Sequence, residues 1–523
     1  MANKATKTYT TKEMFGYLVG LFGQNVIYNI IATGLYFYFQ NVICLPAMAL
    51  GWIFTIARVW DAVNDPMMGT IVDKTRTKWG KCRPYLLFFP AIIGIVTILT
   101  FINGNYAEAS TGTQKALIIA WAAISYIAWG MVYTICDIPL WGITSLMTED
   151  EGDRSKILGF ARIAAGLAGV SVLIVQVAQV VAGIFESSGM DHAKASQYGF
   201  IVTAAVMTII STILFEFAGI SAKERVEQSE KHYTIIENFK IMFRNKPFRQ
   251  ILISGILRSP IQLLMICAIT LITYYYANGD FMNILKDENG NPGLNFGILI
   301  KLVIIAAAVF VGQFAAMGLT PVLIKKIEKK TLYNFFSLVG AIPFAALYVI
   351  YKISGGDLRP MPWVILSAIL FLLAGGAMGG INVLQSVMIA DCIDHEEYHN
   401  GVRTDGVFFS GQSFITKLSA GIASIISAVV YEMVGYSGTN IDAMNKALAE
   451  GADFITYNDG VFAASMFFLI SIPPAVGMIL SAIPTWKYAL PDKEHKRILA
   501  ALVEKRAAAE QAEAPAEEVA EEA

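Results

Sequence analysis

Charged residues interrupt an apolar stretch in the segment RVWDAVNDPMMG (58–69). Arg58, Asp61 and Asp65 are spaced three and four residues apart, so on a helix they share one face with Asn64. A charge at mid-bilayer costs about 2.5–3.5 kcal/mol, so such residues usually face a cavity and have a role. Two carboxylates and an amide offer hard oxygen ligands, which predicts a small-cation site. The simpler alternative is that Arg58 only pairs with one of the two carboxylates.

A proline follows directly in this segment. Pro66 cannot donate a hydrogen bond to the carbonyl of Ala62, and its ring favours a kink. The freed carbonyl would be a further oxygen ligand beside the carboxylates. The alternative is that the proline only bends the helix.

A second polar stripe lies in YTICDIPLW (133–141). Thr134, Asp137 and Trp141 recur at three and four residues and therefore share one helix face. A carboxylate accepts hydrogen bonds from sugar hydroxyls, and an aromatic ring packs on the C–H face of a sugar. This pairing favours a sugar-binding role for Asp137. The alternative is a charge pair between Asp137 and Arg162, with the tryptophan used for packing.

Uncharged polar residues mark the first apolar segment. FGQNVIYN (22–29) places Gln24, Asn25, Tyr28 and Asn29 on or near one stripe. Amides are tolerated in the membrane as hydrogen bonds between helices. Packing and substrate contact are therefore equally good interpretations of this stripe.

A lysine lies deep in the eleventh apolar segment, GQSFITKLSAG (411–421). Lys417 needs a carboxylate partner at that depth, and the mid-membrane candidates are Asp61, Asp65 and Asp137. Gln412 precedes it by five residues. The pairing would couple the second half of the chain to the first.

These residues must be positioned by membrane helices. Of the 523 residues, 55% are hydrophobic and 15% are charged, which is typical of a polytopic membrane protein. The net charge of −2 gives no electrostatic basis for nucleic-acid binding. No enzyme is expected, because no nucleophile–base arrangement is evident, and no cofactor is expected. The five cysteines lie far apart, as reduced structural thiols would: Cys44, Cys82, Cys136, Cys267 and Cys392.

Apolar runs long enough to span a bilayer, which needs about 20 residues, occur in two sets of six. The first set lies near 14–41, 47–72, 84–104, 116–147, 157–185 and 197–220, and the second near 249–277, 293–319, 332–352, 361–390, 404–435 and 459–486. The sequence therefore predicts an all-α membrane protein. Its predicted parts are an N-terminal segment (1–13), a bundle (14–220), a central loop (221–248), a second bundle (249–486) and a tail (487–523) that is expected to be disordered.

The distribution of Lys and Arg predicts the orientation. The densest basic stretches are DKTRTKWGKCRP (73–84), the central loop and KKIEKK (325–330). Basic loops remain in the cytoplasm, so both termini are expected there. The expected location is the inner (cytoplasmic) membrane of the cell, as a multi-pass protein.

The two halves also resemble each other. MGTIVDKTRTKWGKCRPY (68–85) and MGLTPVLIKKIEKKTLY (317–333) both place Met-Gly at a helix end before a short basic loop. Parallel repeats of this kind are typical of transporters whose site lies between the halves. Asp61 and Asp65 correspond to Phe310 and Phe314, so the charged site is expected in the first half only.

Three stretches together resemble the glycoside–pentoside–hexuronide:cation symporters, within the major facilitator superfamily. They are WDAVNDPMMGTIVDKTRTKWGKCRPY (60–85), YTICDIPLW (133–141) and ADCIDHEEYHNGVRTDGVFFSGQSFITKLSAG (390–421), in the family's order and spacing. The resemblance covers roughly residues 14 to 486 and implies twelve transmembrane helices in two six-helix bundles, the major facilitator fold.

The resemblance also implies roles for individual residues. The sodium site would fall on Asp61, Asn64, Asp65 and Thr134, with Arg58 in the surrounding charge network. The substrate site would include Asn25, Asp137, Trp141, Arg162, Gln412 and Lys417. Asn25 stands where the melibiose carrier of this family has an acid, which argues against a simple α-galactoside as substrate.

The expected function is therefore symport of a sugar or glycoside with Na⁺, by a monomer in the lipid bilayer. Coupling to H⁺ is the alternative within transport, because a carboxylate pair also exchanges protons. A non-transporting sugar sensor of the same fold is the alternative outside transport, and a counterflow assay separates it. Another small polar solute, such as a sulfonated sugar, is not excluded by the residues.

Overall fold

Helices form nearly all of the described chain. The structure is a computed structural model that describes residues 9–148, 151–225, 235–279, 295–401, 405–502 and 504. Within these ranges no β-strand occurs, and the extended backbone pairs only at Thr77 and Gly80. The predicted all-α class is therefore confirmed.

The described residues of the first half contain nine α-helices, and some pairs of them are two parts of one spanning segment. They are α1 (Thr11–Asn29), α2 (Ala47–Lys74), α3 (Arg83–Phe88), α4 (Pro90–Phe101), α5 (Gly112–Gly142), α6 (Thr144–Met147), α7 (Glu151–Ala168), α8 (Ile174–Ser187) and α9 (His192–Ser221). Wider turns extend α1 through Ile30–Leu35 and Tyr38–Val42. A tighter turn, Gly169–Leu173, joins α7 to α8.

The second half follows the same plan. Its helices are α10 (Ile235–Arg244), α11 (Lys246–Leu257), α12 (Leu263–Thr270), α13 (Phe296–Ile324), α14 (Lys329–Ile353), α15 (Met361–Asn400), α16 (Asp405–Val434), α17 (Thr439–Ala449) and α18 (Val461–Trp486). The turn Ser259–Gln262 joins α11 to α12, and the turn Leu271–Tyr276 extends α12.

Twelve spanning segments follow from these helices. Nine helical segments of the described chain are long and apolar enough to cross a membrane by length and composition. The other three are α2, whose charged and amide residues lower its mean hydropathy, and two interrupted segments, α3–α4 and α7–α8. The order and number of segments match the prediction and fit the major facilitator fold.

Local sequence explains several helix ends. Thr10 and Glu13 form a reciprocal capping box at the start of α1, and Thr111 and Gln114 form another at the start of α5. Pro90 occupies the first position of α4, where a missing N–H costs nothing. The break between α3 and α4 therefore lies where a proline can restart a helix.

Short contacts link the connections at each end of the first half. At the end where α1 begins, Arg225 Nη2 lies 2.7 Å from Glu13 Oε2, and the Arg225 backbone N–H donates to the carbonyl of Leu146 (2.7 Å). At the opposite end, the N–H of Tyr106 donates to the carbonyl of Ile43 (2.8 Å). Contacts between connecting segments therefore occur at both ends of the first half, as expected where successive spans alternate in direction.

The chain groups into two compact units by internal contacts. The first comprises Met1–Tyr233, Gln262–Leu302 and Ala420–Leu469, and the second comprises Thr234–Ile261, Val303–Ser419 and Ile470–Ala523. Two pieces from the second half of the sequence therefore belong to the first unit. The domain boundaries expected from the sequence, at 14–220 and 249–486, stay a prediction.

Three regions differ in detail from expectation. The central connection contains the helix α10, and α15 continues to Asn400, ten residues past its predicted end. Residues 492–502 of the tail are helical, with His495, Ile498 and Leu502 buried. The expected disorder therefore does not apply there, because this short helix has an apolar face to bury. Residues 505–523 lie outside the described residues.

Candidate functional site

The first charged pair lies on α2. Asp61 is 8% exposed, and its Oδ2 lies 3.4 Å from Nη1 of Arg58, one helical turn earlier. This is the ion pair that the sequence allowed as the simpler alternative. Asp65, one helical turn after Asp61, makes a contact with a different helix.

Asp65 meets a hydroxyl from a different helix. Thr134, on α5, is buried, and its Oγ1 lies 3.2 Å from Asp65 Oδ1. The same oxygen lies 3.0 Å from the carbonyl of Gly130. The structure thus brings together two of the four predicted cation ligands, Asp65 and Thr134, from segments almost 70 residues apart.

Gly130 also permits the approach of Asp61. A Cβ atom built on Gly130 would lie 2.8 Å from Asp61 Oδ1, closer than real contacts allow. The absence of a side chain at this position lets the Asp61 carboxylate pack directly on α5. The sequence analysis did not identify this glycine, because an isolated glycine in an apolar helix carries no periodic signal.

Asn64, the fourth predicted ligand, directly precedes Asp65 in the sequence and is half-buried. Its Nδ2 is buried and has no hydrogen-bond partner among the described residues. A buried unpaired N–H costs about 1–3 kcal/mol. Rotation of the amide by half a turn would put the oxygen there instead, which is the arrangement that a cation would favour.

The donor chemistry fits a small monovalent cation. Arg58 contributes one positive charge and Asp61 with Asp65 two negative charges, so one further positive charge would neutralise the group. The oxygens on offer come from carboxylate, hydroxyl and amide groups, the ligands that hard cations prefer.

The backbone at the predicted proline kink is regular. α2 runs without interruption from Ala47 to Lys74 and therefore continues through Pro66. The side chain of Pro66 lies outside the described residues. The expected role of the Ala62 carbonyl as a ligand stays a prediction.

The second-half counterparts of the two carboxylates face outward. Phe310 and Phe314 on α13 are 54% and 65% exposed, with their rings 6.4 Å apart. Such exposed aromatic residues on an apolar helix suit a lipid-facing surface. The expected asymmetry between the halves therefore agrees with their exposure.

Asp137 is held by two side chains. Its Oδ1 accepts hydrogen bonds from Gln24 Nε2 on α1 (2.8 Å) and from the Tyr133 hydroxyl (3.3 Å). Gln24 is 1% exposed and also donates to the Tyr133 hydroxyl. Among the described residues, this half-buried carboxylate therefore has two neutral hydrogen-bond donors, which a hydroxylated ligand could replace.

Asn25 is linked to Asp137 through the side chain of Gln24. Its Nδ2 donates to Gln24 Oε1 (2.9 Å) and to the carbonyl of Leu21 (2.9 Å). Asn29 Nδ2 donates to the carbonyls of Asn25 (2.9 Å) and Ala168 (3.3 Å). Both interpretations of the α1 stripe therefore apply. Asn29 forms a hydrogen bond between helices. Gln24 donates to Asp137, and Asn25 donates to Gln24.

A column of aromatic rings runs along α5 toward Asp137. Tyr133 is stacked on Trp129 at 4.7 Å between ring centroids, and Trp129 on Tyr126 at 6.3 Å. Tyr28 from α1 approaches Tyr133 at 5.6 Å. Tyr28 was predicted from the sequence and Tyr133 and Trp129 were not, although Trp129, Tyr133 and Asp137 follow one another at four-residue spacing and share a helical stripe.

The other predicted substrate residues are Trp141, Gln412, Lys417 and Arg162. Trp141 is half-buried one turn after Asp137 on α5, and Gln412 Nε2 donates to the Ser386 hydroxyl (2.9 Å). Lys417 is half-buried on α16, and its pairing with a first-half carboxylate stays a prediction. The side chain of Arg162 lies outside the described residues.

The second compact unit holds a buried cation that the sequence analysis did not single out. Arg258, between α11 and α12, is buried, and its Nη2 donates to Gln385 Oε1 (2.5 Å). Its Nη1 lies 3.4 Å from the Tyr333 hydroxyl. The signal available in the sequence was an arginine within an apolar run, the same signal that identified Arg58.

Comparison with known proteins assigns the chain to a family. A family model described as MFS/sugar transport protein matches residues 16–492. The isoprimeverose transporter of Lactiplantibacillus pentosus is 26% identical over 497 residues, covering 95% of this chain and 92% of that protein. The inner membrane symporter YicJ of Escherichia coli (strain K12) is 24% identical over 485 residues, covering 92% of each.

A solved structure supports the fold independently. The nucleoside transporter NupG aligns with a TM-score of 0.53 at 15% sequence identity, over 88% of this chain and 99% of that one. At this identity the likeness concerns the fold alone. With the family match over nearly the whole length, it follows that the chain is a multi-pass membrane transporter, not an enzyme, and belongs to the sugar-transporting major facilitator family of glycoside–pentoside–hexuronide:cation symporters.

Proposed function

We propose that the chain, as a monomer with both termini in the cytoplasm, imports a sugar or glycoside together with Na⁺ by alternating access. The observation that carries the proposal is the contact of the Thr134 hydroxyl with Asp65, beside a second carboxylate and an unpaired amide. The names of the relatives, a transporter of isoprimeverose and a symporter, support the same substrate class and coupling.

The coupling ion is held by groups that a proton would not need. A bound Na⁺ would place a positive charge beside the carboxylates of Asp61 and Asp65, which repel each other. Thr134 has one hydroxyl proton and two acceptors within reach; when it donates to the Gly130 carbonyl, its lone pairs remain free beside Asp65. A proton on Asp65 would need no oxygen ligand from the Thr134 hydroxyl or from the Asn64 amide.

The sugar is held by Asp137 and its neighbours. Asp137 accepts hydrogen bonds from Gln24 and Tyr133. A sugar hydroxyl replaces one of these donors, and the ring of Tyr133, the half-buried member of the aromatic column, lies next to it. Since Thr134 and Asp137 are one turn apart on α5, a movement of this helix displaces both side chains. Coupling between them is reciprocal: Na⁺ raises sugar affinity as much as sugar raises Na⁺ affinity.

Equilibrium binding tests the proposal. A panel of isotope-labelled glycosides is titrated onto purified protein in proteoliposomes, at fixed pH, with and without Na⁺. We expect at least one glycoside to bind about tenfold more tightly with Na⁺, a coupling of about 1.4 kcal/mol. Equal affinity at all Na⁺ concentrations, combined with tighter binding as the pH falls, would favour H⁺ coupling instead.

Uptake by a variant completes this test. Asp65→Cys removes one predicted ligand and should abolish Na⁺-stimulated uptake in vesicles. Asp357→Cys is the matched control, because Asp357 forms an ion pair with Arg359 outside the spanning helices (3.1 Å). Undiminished Na⁺ stimulation in Asp65→Cys contradicts the assignment of the ion site.

A further inference from the structure

A short amphipathic helix covers one end of the first compact unit. α17 lies in the connection between the eleventh and twelfth spans and buries Ile441, Met444 and Leu448. It lies against the last turns of the first span, at the end opposite the start of α1. Under the proposed orientation this end faces the outside of the cell.

One side chain of α17 joins two other spans. Asn445 Nδ2 donates to the Asn41 carbonyl on the first span (2.9 Å), and Asn445 Oδ1 accepts from the Tyr274 hydroxyl on the seventh span (2.8 Å). The NH₂ group and the oxygen of the Asn445 amide therefore bond to two different spans, the first and the seventh.

A second layer supports the same junction. The Tyr436 hydroxyl donates to Asn41 Oδ1 (2.7 Å), and the Ala47 N–H donates to the Ser437 hydroxyl (2.9 Å). Asn41 is only 2% exposed, so these bonds are made away from bulk water. The bonds link the two sides of the first unit, one drawn from each half of the sequence.

We propose that Asn445 is a positioning residue of the transport cycle: with Asn41, Tyr274 and Tyr436 it forms an outer latch that must open before a solute can enter from outside. This rests on the proposed function only for the direction of entry. The latch sets how often the outer side opens, while the site at Asp65 and Asp137 sets what is carried.

The latch is suited to repeated opening. Its bonds are between neutral polar groups, which water can replace when the segments separate, whereas a large apolar contact would have to expose surface. A cavity of about 90 Å³, lined by Asn41, Tyr274 and Asn445 among other residues, borders the latch. That volume holds several waters, which are available to hydrate the released groups.

The chain carries its own reporter of opening. Cys44 follows Asn41 by three residues and is 1% exposed. Burial raises the pKa of the Cys44 thiol to about 12. Since the thiolate is the reactive form, Cys44 reacts slowly with a maleimide while the latch is closed and faster when it opens.

The experiment measures Cys44 alkylation by a membrane-impermeant maleimide in sealed right-side-out vesicles, read by peptide mass spectrometry. Asn445→Ala removes two latch bonds and should raise the rate about tenfold. Tyr274→Phe removes one bond and should raise it about threefold. Asn440→Ala is the matched control on the same helix, because the Asn440 side chain is exposed and bonds only locally to the Gly435 carbonyl (2.9 Å). It should leave the rate unchanged.

Equal rates in Asn445→Ala and Asn440→Ala, in right-side-out and in inverted vesicles alike, would overturn the proposal. So would simultaneous labelling of the buried Cys136 and Cys392 in Asn445→Ala, because that indicates general unfolding instead of a local opening. Failure of the proposed function has a different signature. Faster labelling of Cys44 only in inverted vesicles would refute the orientation, and the expected labelling without Na⁺-coupled uptake would refute symport, while in both cases the latch is supported.

Discussion

The hydroxyl oxygen of Thr134 lies 3.0 Å from the Gly130 carbonyl and 3.2 Å from Asp65 Oδ1. A hydroxyl has one proton, so it donates to one of these acceptors at a time. When it donates to the carbonyl, its lone pairs face the Asp65 carboxylate at 3.2 Å. A cation between the two oxygens would stabilise that arrangement and would connect the proposed ion site to the backbone of α5.

Thr134→Val therefore separates ion binding from packing. The substitution keeps the shape of the side chain and removes the oxygen, so we expect Na⁺ affinity to fall about tenfold, the cost of one charge-assisted contact. Thr134→Ser should retain most of the affinity. The measurement is the Na⁺ concentration that gives half-maximal stimulation of glycoside binding.

Thr100→Val is the control for this series. Thr100 is also buried in a first-half helix, but its hydroxyl donates to the backbone carbonyl of Thr97 (2.6 Å). We expect its Na⁺ dependence to match that of the unmodified protein. An equal loss in both variants would assign the effect to stability instead of ion binding.

The approach of Asp61 to Gly130 leads to a second prediction. Gly130→Ala would place a methyl group 2.8 Å from Asp61 Oδ1 and force the carboxylate or α5 to move. We expect loss of Na⁺-stimulated binding with the protein still folded. Binding and thermal unfolding are measured on the same preparation.

Gly142→Ala provides the comparison on the same helix. A Cβ there meets only the Cys82 sulfur at 3.7 Å, an ordinary contact. Na⁺ stimulation should persist in that variant. Retention of stimulation in Gly130→Ala as well would show that Asp61 does not need its present position.

The sequence predicted the helices and one face of the site because both depend on periodicity. Charges at three- and four-residue spacing placed Arg58, Asp61 and Asp65 on one stripe of α2, and the same spacing placed Thr134 and Asp137 on α5. Apolar runs gave all twelve spans in order. These features depend on local sequence, which a single chain displays in full.

The sequence could not give contacts that depend on the register between helices. The bond from Gln24 to Asp137 joins residues 113 positions apart. The fit of Asp61 onto Gly130 depends on the missing side chain of a residue that has no periodic partner. The latch at Asn445 lies in a connection, where no apolar period marks which residue faces inward. Such features follow from tertiary packing alone.

The environment of Asp137 predicts a pH-dependent variant. Gln24→Glu would replace an amide donor, 2.8 Å from Asp137 Oδ1, by a second carboxylate. Two ionised carboxylates at that distance repel each other, so glycoside affinity should fall about tenfold or more at neutral pH. As the pH falls, one carboxyl takes up a proton and donates in place of the amide, so affinity should partly recover.

Gln114→Glu is the control for the added charge. Gln114 forms the capping box at the start of α5, a role that glutamate also fills, and it is exposed. Its affinity and pH profile should equal those of the unmodified protein. A pH profile in Gln24→Glu identical to that of the unmodified protein would mean that Asp137 is not at the sugar.

The last prediction concerns the connection between α2 and α3. Glu224 accepts hydrogen bonds from three consecutive backbone N–H groups, those of Lys81 (2.9 Å), Cys82 (2.8 Å) and Arg83 (2.9 Å). Glu224→Ala leaves these donors to water or unpaired, at a cost of about 1–3 kcal/mol in the free energy of unfolding. We expect the unfolding temperature to fall by a few degrees, as measured by fluorescence in detergent.

A second variant tests the same contact from the opposite side. Gly80 has φ of +111°, and a Cβ there would lie 2.4 Å from the Glu224 carboxylate. Gly80→Ala should therefore lower the unfolding temperature as well, and the double variant should lose less than the sum of both changes because they disrupt one contact. Glu108→Ala, at an exposed loop position, should leave the unfolding temperature unchanged. Strict additivity of the two changes would mean that Glu224 does not hold this connection.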